Sequence, residues 1–545
     1  MDRNTSYNTR GFPGQSTQGR PSVSRNAGAP GQLGRFSAPA AGQQGSAQGS
    51  GNYVPPSSRP MGGTGSYGGR YGAPQERHGQ ARRTVPDIKY SAPWEEKDWY
   101  PANRRAETKL FHREQGTGIK FEDYGSIPVE VEGQTEAVPM EGYDGSGLHP
   151  LLKNNLTLLA YKVPTPIQKY GVPISISGDD IMACAQTGSG KTAAFILPIF
   201  SQILSMHGPP VEQSRGYRRT VYPLAVIMAP TRELTLQILE ECEKFGYRTW
   251  LSICIAYGGA PAIAQIQAME SNGCDILVAT PGRLKDFVER GKVSLANVKY
   301  LVLDEADRML DMGFEPQIRE IVERTDITPK EGRQTMMYSA TFPPEIRRLA
   351  RDFLRKYVFI TIGRIGSAPE NIEQEILYVE ENEKPVAVLD MLSREKEGQV
   401  LVFVERKVDA RDLEGFLLSK GINAVSIHGD KTQDQRENAI NAFKKKTCRV
   451  LAATSVAARG LDIPNVSCVI NFDLPKEIDE YVHKIGRTAR AGNTGKAISF
   501  FNTTRDARIA RDLIGVLEES KKQVPEWLFG FGGGSSGGSQ SWGRR

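Results

Sequence analysis

Short, mostly apolar runs recur along the chain, separated by longer stretches whose apolar positions repeat at helical spacing. In the first half they are Ile181–Cys184, Ala225–Met228, Ile276–Ala279, Tyr300–Leu303 and Thr335–Tyr338. In the second half they are Val400–Val404, Ala424–Ile427, Val450–Ala453, Ser467–Phe472 and Ala497–Phe501. Strands buried on both faces lose polar alternation, so this rhythm predicts α/β architecture with parallel sheets between helices. Residues 362–373, with Gly363, Ser367, Pro369 and Asn371, read as a linker. The expected organisation is an extension over 84–140, one domain over 141–361 and a second over 374–528. Ligands should meet such sheets at the carboxyl ends of their strands.

Composition adds two tails. Residues 1–83 are rich in Gly, Ser, Gln, Pro and Arg and poor in large aliphatics, so they are expected to be disordered. Residues 529–545 repeat the pattern on a small scale. Charge is informative once it is located. Of the net +6, residues 1–80 supply all, with eight arginines, no lysine and two acids, leaving 61 basic against 61 acidic residues elsewhere. The folded part is therefore no bulk cation, and any nucleic-acid contact there must come from local geometry. Phe36, Tyr53, Tyr67 and Tyr71, interleaved with the tail arginines, suit base stacking and phosphate contact, or equally a solvated linker.

No run approaches the roughly 18–20 apolar residues of a membrane span, and MDRNTSYNTR lacks a signal-peptide core. Cys184, Cys242, Cys254, Cys274, Cys448 and Cys468 are scattered without a Cys-x-x-Cys pair. That spacing fits buried thiols in a reducing compartment rather than zinc or disulfides.

Two segments carry chemistry. After the run Ile181–Cys184 comes Ala185-Gln186-Thr187-Gly188-Ser189-Gly190-Lys191-Thr192, followed by a helical pattern. Apart from Ala185 in place of a leading glycine, this is a phosphate-binding loop. Gly188 and Gly190 let backbone N–H groups curl round an anion at a helix N-terminus. Lys191 supplies charge to the outer phosphates, and the Thr192 hydroxyl can ligate Mg²⁺. The run Tyr300–Leu303 then leads into Asp304-Glu305-Ala306-Asp307. A carboxylate at a neighbouring strand end is where such an ATPase holds Mg²⁺, giving Asp304 that role and Glu305 the attacking water.

With these residues in view, the chain resembles the DEAD-box ATP-dependent RNA helicases from about Tyr143 to Trp527. Further motifs stand in the family's order: Ala229–Leu234, Gly258-Gly259, Thr280–Arg283, Ser339-Ala340-Thr341, His428–Asp430 with Gln433 and Arg436, Thr454–Asp462, and His483–Arg490. The resemblance implies tandem RecA-like domains, ATP and Mg²⁺ as ligands, and RNA as partner, single-stranded or in short duplexes without sequence preference. It implies base reading by Gln168, whose amide can both donate and accept and so suits the adenine edge, giving ATP over GTP, with Tyr161, Thr165 and the upstream aromatic Tyr143. Gly460 and Asp462 join the nucleotide cleft, and Asp307, Ser339, Thr341 and His483 couple hydrolysis to unwinding. Pro230, Thr231, Arg232, Gly259, Thr280, Gly282, Arg283, Arg436 and Thr454 contact RNA, through phosphates and 2′-hydroxyls rather than base edges. Arg487 and Arg490, from the second domain, act as fingers that reach the γ-phosphate only when the cleft shuts.

Four positions depart from the family pattern: Tyr143, where phenylalanine is usual, Lys484 and Ala489, where arginine and glycine are usual, and Ser455, where aspartate is common. The flanks Ile119–Tyr124, Ile127–Val129 and Tyr300–Gln317 look like the eukaryotic translation-initiation branch, as does the start of Tyr53-Val54-Pro55-Pro56. That likeness implies translation-initiation factors as partners and a cytoplasmic location with shuttling to nucleus or RNA granules; the core is expected to be monomeric, and the cysteine spacing and short apolar runs point to no zinc and no membrane attachment. Two other readings stay open: a nuclear splicing or ribosome-biogenesis helicase, and an RNA clamp or granule scaffold driven by the tails.

Overall fold

The computed structural model describes residues 88–111, 128–133, 138–186, 188–211, 220–363, 371–394, 398–458, 466–489 and 494–532. Residues 1–83, Thr187, Gly460, Asp462, Arg490 and most of the Ile119–Val129 flank lie outside them.

The first lobe is built on β1 (Val129–Glu132), β2 (Asp180–Cys184), β3 (Ala225–Met228), β4 (Ile253–Ala256), β5 (Ile276–Ala279), β6 (Tyr300–Leu303), β7 (Gln334–Ser339) and β8 (Tyr357–Ile362). They form one sheet in the order β1-β8-β2-β7-β6-β3-β5-β4, parallel throughout except for β1, which runs antiparallel to β8. The second lobe has β9 (Ile372–Tyr378), β10 (Gln399–Val404), β11 (Ala424–Ile427), β12 (Val450–Thr454), β13 (Val466–Asn471) and β14 (Gly495–Phe501). Its order is β11-β12-β10-β13-β14-β9, all parallel. Each sheet carries packed apolar clusters on both faces, as two tandem RecA-like domains require. Among the described residues no helix is long and apolar enough to cross a membrane.

All ten expected runs are strands. The four without a sequence expectation are β1, β4, β8 and β9. β1, β4 and β9 are edge strands, and their burial alternates along the strand instead of running continuously. β8 begins with the same alternation before Ile360–Ile362 turn wholly inward. β8 reaches Ile362 and β9 starts at Ile372, so both sheets extend into the ends of the expected linker.

The extension is welded to the first lobe. Trp94 sits in its core, 7% exposed, with its backbone N–H donated to Leu204 O at 3.0 Å. His149 Nε2 donates to Trp94 O at 2.5 Å while Nδ1 accepts from Leu151 N at 3.3 Å, fixing one neutral tautomer. At the other end, the expected tail boundary at Phe529 is corrected: the helix Glu526–Gly532 runs past it. Phe531 packs on Phe501 at 5.6 Å, and Trp527 on the same ring at 5.4 Å, so aromatic contacts hold the first residues of that glycine-rich stretch, although Phe531 stays exposed. Trp94→Ala should cost about 3 kcal/mol of first-lobe stability, read as a lower denaturation midpoint; an unmoved midpoint would detach the extension from the core.

Candidate active site and RNA face

The sheet order divides the carboxyl edge of the first lobe in two. The phosphate loop follows β2, Ser339–Thr341 closes β7, and Asp304 and Glu305 follow β6; these three strands are neighbours. Thr231, Gly259 and Thr280 follow β3, β4 and β5, the next three in the sheet. One half of the edge therefore gathers the candidate nucleotide residues and the other half the candidate RNA residues.

At the nucleotide half, Gly188 and Gly190 take φ +83° and +89°, which curl the loop. Gly190 also has no room for a side chain, because a Cβ there would lie 2.6 Å from Gln168 Nε2 and 2.8 Å from Thr165 Oγ1. Lys191 is 7% exposed and donates to Ala185 O at 2.9 Å, across the loop, while Ser189 Oγ donates to Gln186 O at 2.8 Å. Thr192 is half-buried in the first turn of the helix Lys191–Met206. Gln168 is held by Tyr143 and Thr165, and the Tyr161 ring lies 6.3 Å from that of Tyr143 and 6.0 Å from Phe245. Tyr161 is thus partly packed against the core and partly open.

The acidic tetrad splits into different environments. Asp304 is 3% exposed, and its carboxylate accepts Glu305 N at 3.0 Å. Burial pushes its pKa up to about 7, against the pull of Lys191. A carboxylate so buried, with one backbone donor and a lysine near, fits a divalent cation, with the Thr192 hydroxyl as a second oxygen ligand. Glu305 is strained at φ 51°, ψ 53°, and its Oε2 is buried without a partner, as suits an oxygen waiting for a water. Asp307 is saturated instead. Its Oδ2 accepts Ala340 N at 3.1 Å, Thr341 N at 3.0 Å and Thr341 Oγ1 at 3.0 Å; its Oδ1 accepts Arg308 N at 2.9 Å. Its own N–H reaches Ser339 Oγ at 3.3 Å. Burial opposes ionisation, yet its pKa lies below the ordinary value, because it faces His483, Arg308 and Lys191.

The second lobe closes on this group. His483 Nε2 stands 3.8 Å from Asp307 Oδ2. Burial, and then the charge of Arg308, drives His483 down to about 3, so it is neutral and the contact is dipolar rather than ionic. The charges favouring Asp307 are therefore Arg308 and Lys191. Arg487, 7% exposed, lines a narrow cleft with Arg308, Phe403, Ser455, Glu480, His483 and Lys484. Arg308 had no motif to announce it; only its place beside Asp307 could have pointed to it. Lys484 turns towards its own lobe, over Phe403 at 5.5 Å and 4.0 Å from Glu480, and burial lowers its pKa to about 8. Ala489 has φ 55°, the left-handed region where a Cβ costs roughly 1 kcal/mol, which gives a physical reason for the glycine usual there.

At the RNA half, Pro230 is buried, and Thr231 caps the helix Arg232–Phe245 by accepting Leu234 N at 3.2 Å. Gly259 and Gly282 are exposed with open space where a Cβ would stand, leaving backbone free for a ligand to approach. Thr280 starts the helix Pro281–Glu289 with no side-chain cap bond, and Arg283 donates to Ala260 O at 3.1 Å. Thr454 ends β12 on the second lobe, 9% exposed. The two lobes cross-link here. Arg232 donates to Glu437, and Arg436 lies 3.1 Å from Glu233 as an ion pair without hydrogen-bond alignment. Arg232 and Arg436 thus each meet an acid of the opposite lobe, while Arg283 stays within its own. Arg232 also lies over the Tyr257 ring at 4.3 Å. Glu233, Tyr257 and Glu437 were not expected at the site, although Glu233 lies within Ala229–Leu234, Tyr257 precedes Gly258-Gly259 and Glu437 shares a helix face with Gln433.

Comparison with known proteins agrees with this geometry. A family model described as DEAD/DEAH box helicase matches residues 165–349, and one described as helicase conserved C-terminal domain matches 383–492, together more than half of the chain. A structure of Dbp5 from S. cerevisiae, bound to RNA and ADP BeF3, is 28% identical over 72% of this chain and 94% of its own, with a TM-score of 0.58. Mss116, bound to ssRNA and AMP-PNP, is 28% identical over 72% of this chain and 82% of its own, with a TM-score of 0.60. Prp28 from Chaetomium thermophilum, bound to ADP, is 36% identical over 76% of this chain and 97% of its own, with a TM-score of 0.39. Both lobes, the order of their motifs, the carboxylates at the strand ends and the two family matches lead to one conclusion: the chain belongs to the DEAD-box helicase family and is an ATP-hydrolysing RNA helicase that uses ATP and Mg²⁺.

Proposed function

We propose that the protein separates short RNA duplexes locally, closing its two lobes over one strand while ATP is bound, and that it does so on structured messenger leaders during translation initiation. The observation that carries the mechanism is the closed cleft, in which Arg308, Asp307 and Lys191 of one lobe face His483 and Arg487 of the other. Gln168, with Thr165, Tyr143 and Tyr161, meets the base. Ala185–Thr192 cradle the phosphates, and Thr192 and Asp304 would hold Mg²⁺, which supplies positive charge to the phosphates when bound. Glu305, whose Oε2 has no other partner, orients the attacking water and takes its proton. Arg487 stabilises charge developing on the transferred phosphoryl group, a role shared with Arg490, and Gly460 and Asp462 serve the same nucleotide.

Asp307, Ser339, Thr341 and His483 link hydrolysis to the position of the lobes, because one carboxylate holds β6 and β7 together and touches the second lobe. RNA phosphates and 2′-hydroxyls run along Thr231, Arg232, Gly259, Thr280 and Arg283, then Arg436 and Thr454. A strand bound across both lobes is bent when they close, and hydrolysis, by removing the γ-phosphate contacts, lets them part.

The assignment to translation initiation, with a cytoplasmic site of action and initiation factors as partners, is supported by the resemblance of Ile119–Tyr124, Ile127–Val129 and Tyr300–Gln317 to that branch. Crosslinking to cellular RNA should place reads on messenger 5′ leaders; reads concentrated on small nuclear or pre-ribosomal RNA would move the protein to splicing or ribosome biogenesis instead. For the mechanism, Glu305→Gln should hold ATP and RNA together in a long-lived complex while turnover falls by about 10²-fold or more. Ordinary turnover in that variant would remove Glu305 from the chemistry.

A further inference from the structure

Gln168 is a tightly held polar side chain at the nucleotide half of the first lobe. It is 1% exposed. Its Oε1 accepts the Tyr143 hydroxyl at 2.6 Å and Thr165 N–H at 3.0 Å, and its Nε2 donates to Gly190 O at 3.1 Å. A carbonyl oxygen offers two lone pairs and an amide nitrogen two hydrogens. Both acceptor positions are therefore filled, and one N–H remains. The orientation is fixed, because a flipped amide would point N–H at the N–H of Thr165. Burial raises the pKa of the Tyr143 phenol, so it keeps the proton it donates.

The two purines differ at the edge an amide reads. Adenine offers the N7 acceptor and the N6 donor, whereas guanine offers two acceptors, N7 and O6. An amide with a free oxygen and a free N–H grips adenine at both points and repels guanine O6. An amide whose oxygen is occupied can give one N–H to either base. We infer that the Tyr143 hydroxyl, by filling the second acceptor position of Gln168, relaxes base selectivity so that the helicase hydrolyses GTP as well as ATP. This rests on the reading above that Gln168 meets the base. Tyr143 is then a specificity-determining residue acting through Gln168, beyond any packing role of its ring.

The test measures kcat/KM for Mg-ATP and Mg-GTP with the full chain and saturating single-stranded RNA, in the wild type, Tyr143→Phe and Gln168→Ala. The wild type should prefer ATP by no more than about tenfold, and Tyr143→Phe should raise that preference by a further three- to tenfold, roughly the worth of one net hydrogen bond. Gln168→Ala should lower kcat/KM for both nucleotides. A preference in Tyr143→Phe equal to or below that of the wild type would overturn the role of the hydroxyl while leaving the site intact. Unchanged kcat/KM for both nucleotides in Gln168→Ala would instead show that this amide does not meet the base, and the inference would fall with that reading.

Discussion

A carboxylate taken out of water has to be met by donors, and the way Asp307 is met ties this molecule together. One of its oxygens takes three hydrogen bonds from Ala340 and Thr341, at the end of β7, and the same oxygen faces His483 of the second lobe at 3.8 Å. The ends of β6 and β7 therefore cannot shift separately, and His483 of the other lobe rests on both. Removing any one donor would leave a buried charge short of partners, so the arrangement is cooperative rather than a sum of contacts.

The same tetrad shows how environment assigns roles to chemically identical groups. Asp304 and Asp307 are both buried, yet burial pushes Asp304 up to about 7 while its partners hold Asp307 below the ordinary value. The first is a site short of positive charge, which a metal ion would supply; the second is a structural anion already satisfied by the protein. Between them Glu305 sits in a left-handed conformation with an unpartnered oxygen. Strain and an unmet polar atom together mark a residue held for function rather than for packing.

Much of this was legible before any coordinates. Continuous apolar runs gave away the ten strands covered on both faces, and the loop Ala185–Thr192 stood out because its glycines, lysine and threonine each answer to one feature of a bound phosphate. The edge strands β1, β4 and β9 were hidden because their alternation is shared with amphipathic loops and helices. Phe529–Gly532 looked like tail by composition, and only the packing of Phe531 on Phe501 shows that it is helix. At the site, sequence could name Gln168 as a group able both to donate and to accept; the structure shows its oxygen already occupied by Tyr143 and Thr165. Nor could it foresee that Arg232 and Arg436 meet Glu437 and Glu233 across the lobes, since such pairs depend on how two separate sheets face each other.

The central claim is that one bound nucleotide is completed by groups from both lobes, so that its phosphates hold the molecule shut. Simultaneous replacement of Arg487 and Arg490 by alanine tests it most directly, with phosphate release followed at saturating RNA and ATP. The account predicts a fall of about 10³-fold with ATP binding to the first lobe largely retained. RNA-stimulated phosphate release at the wild-type rate would contradict it.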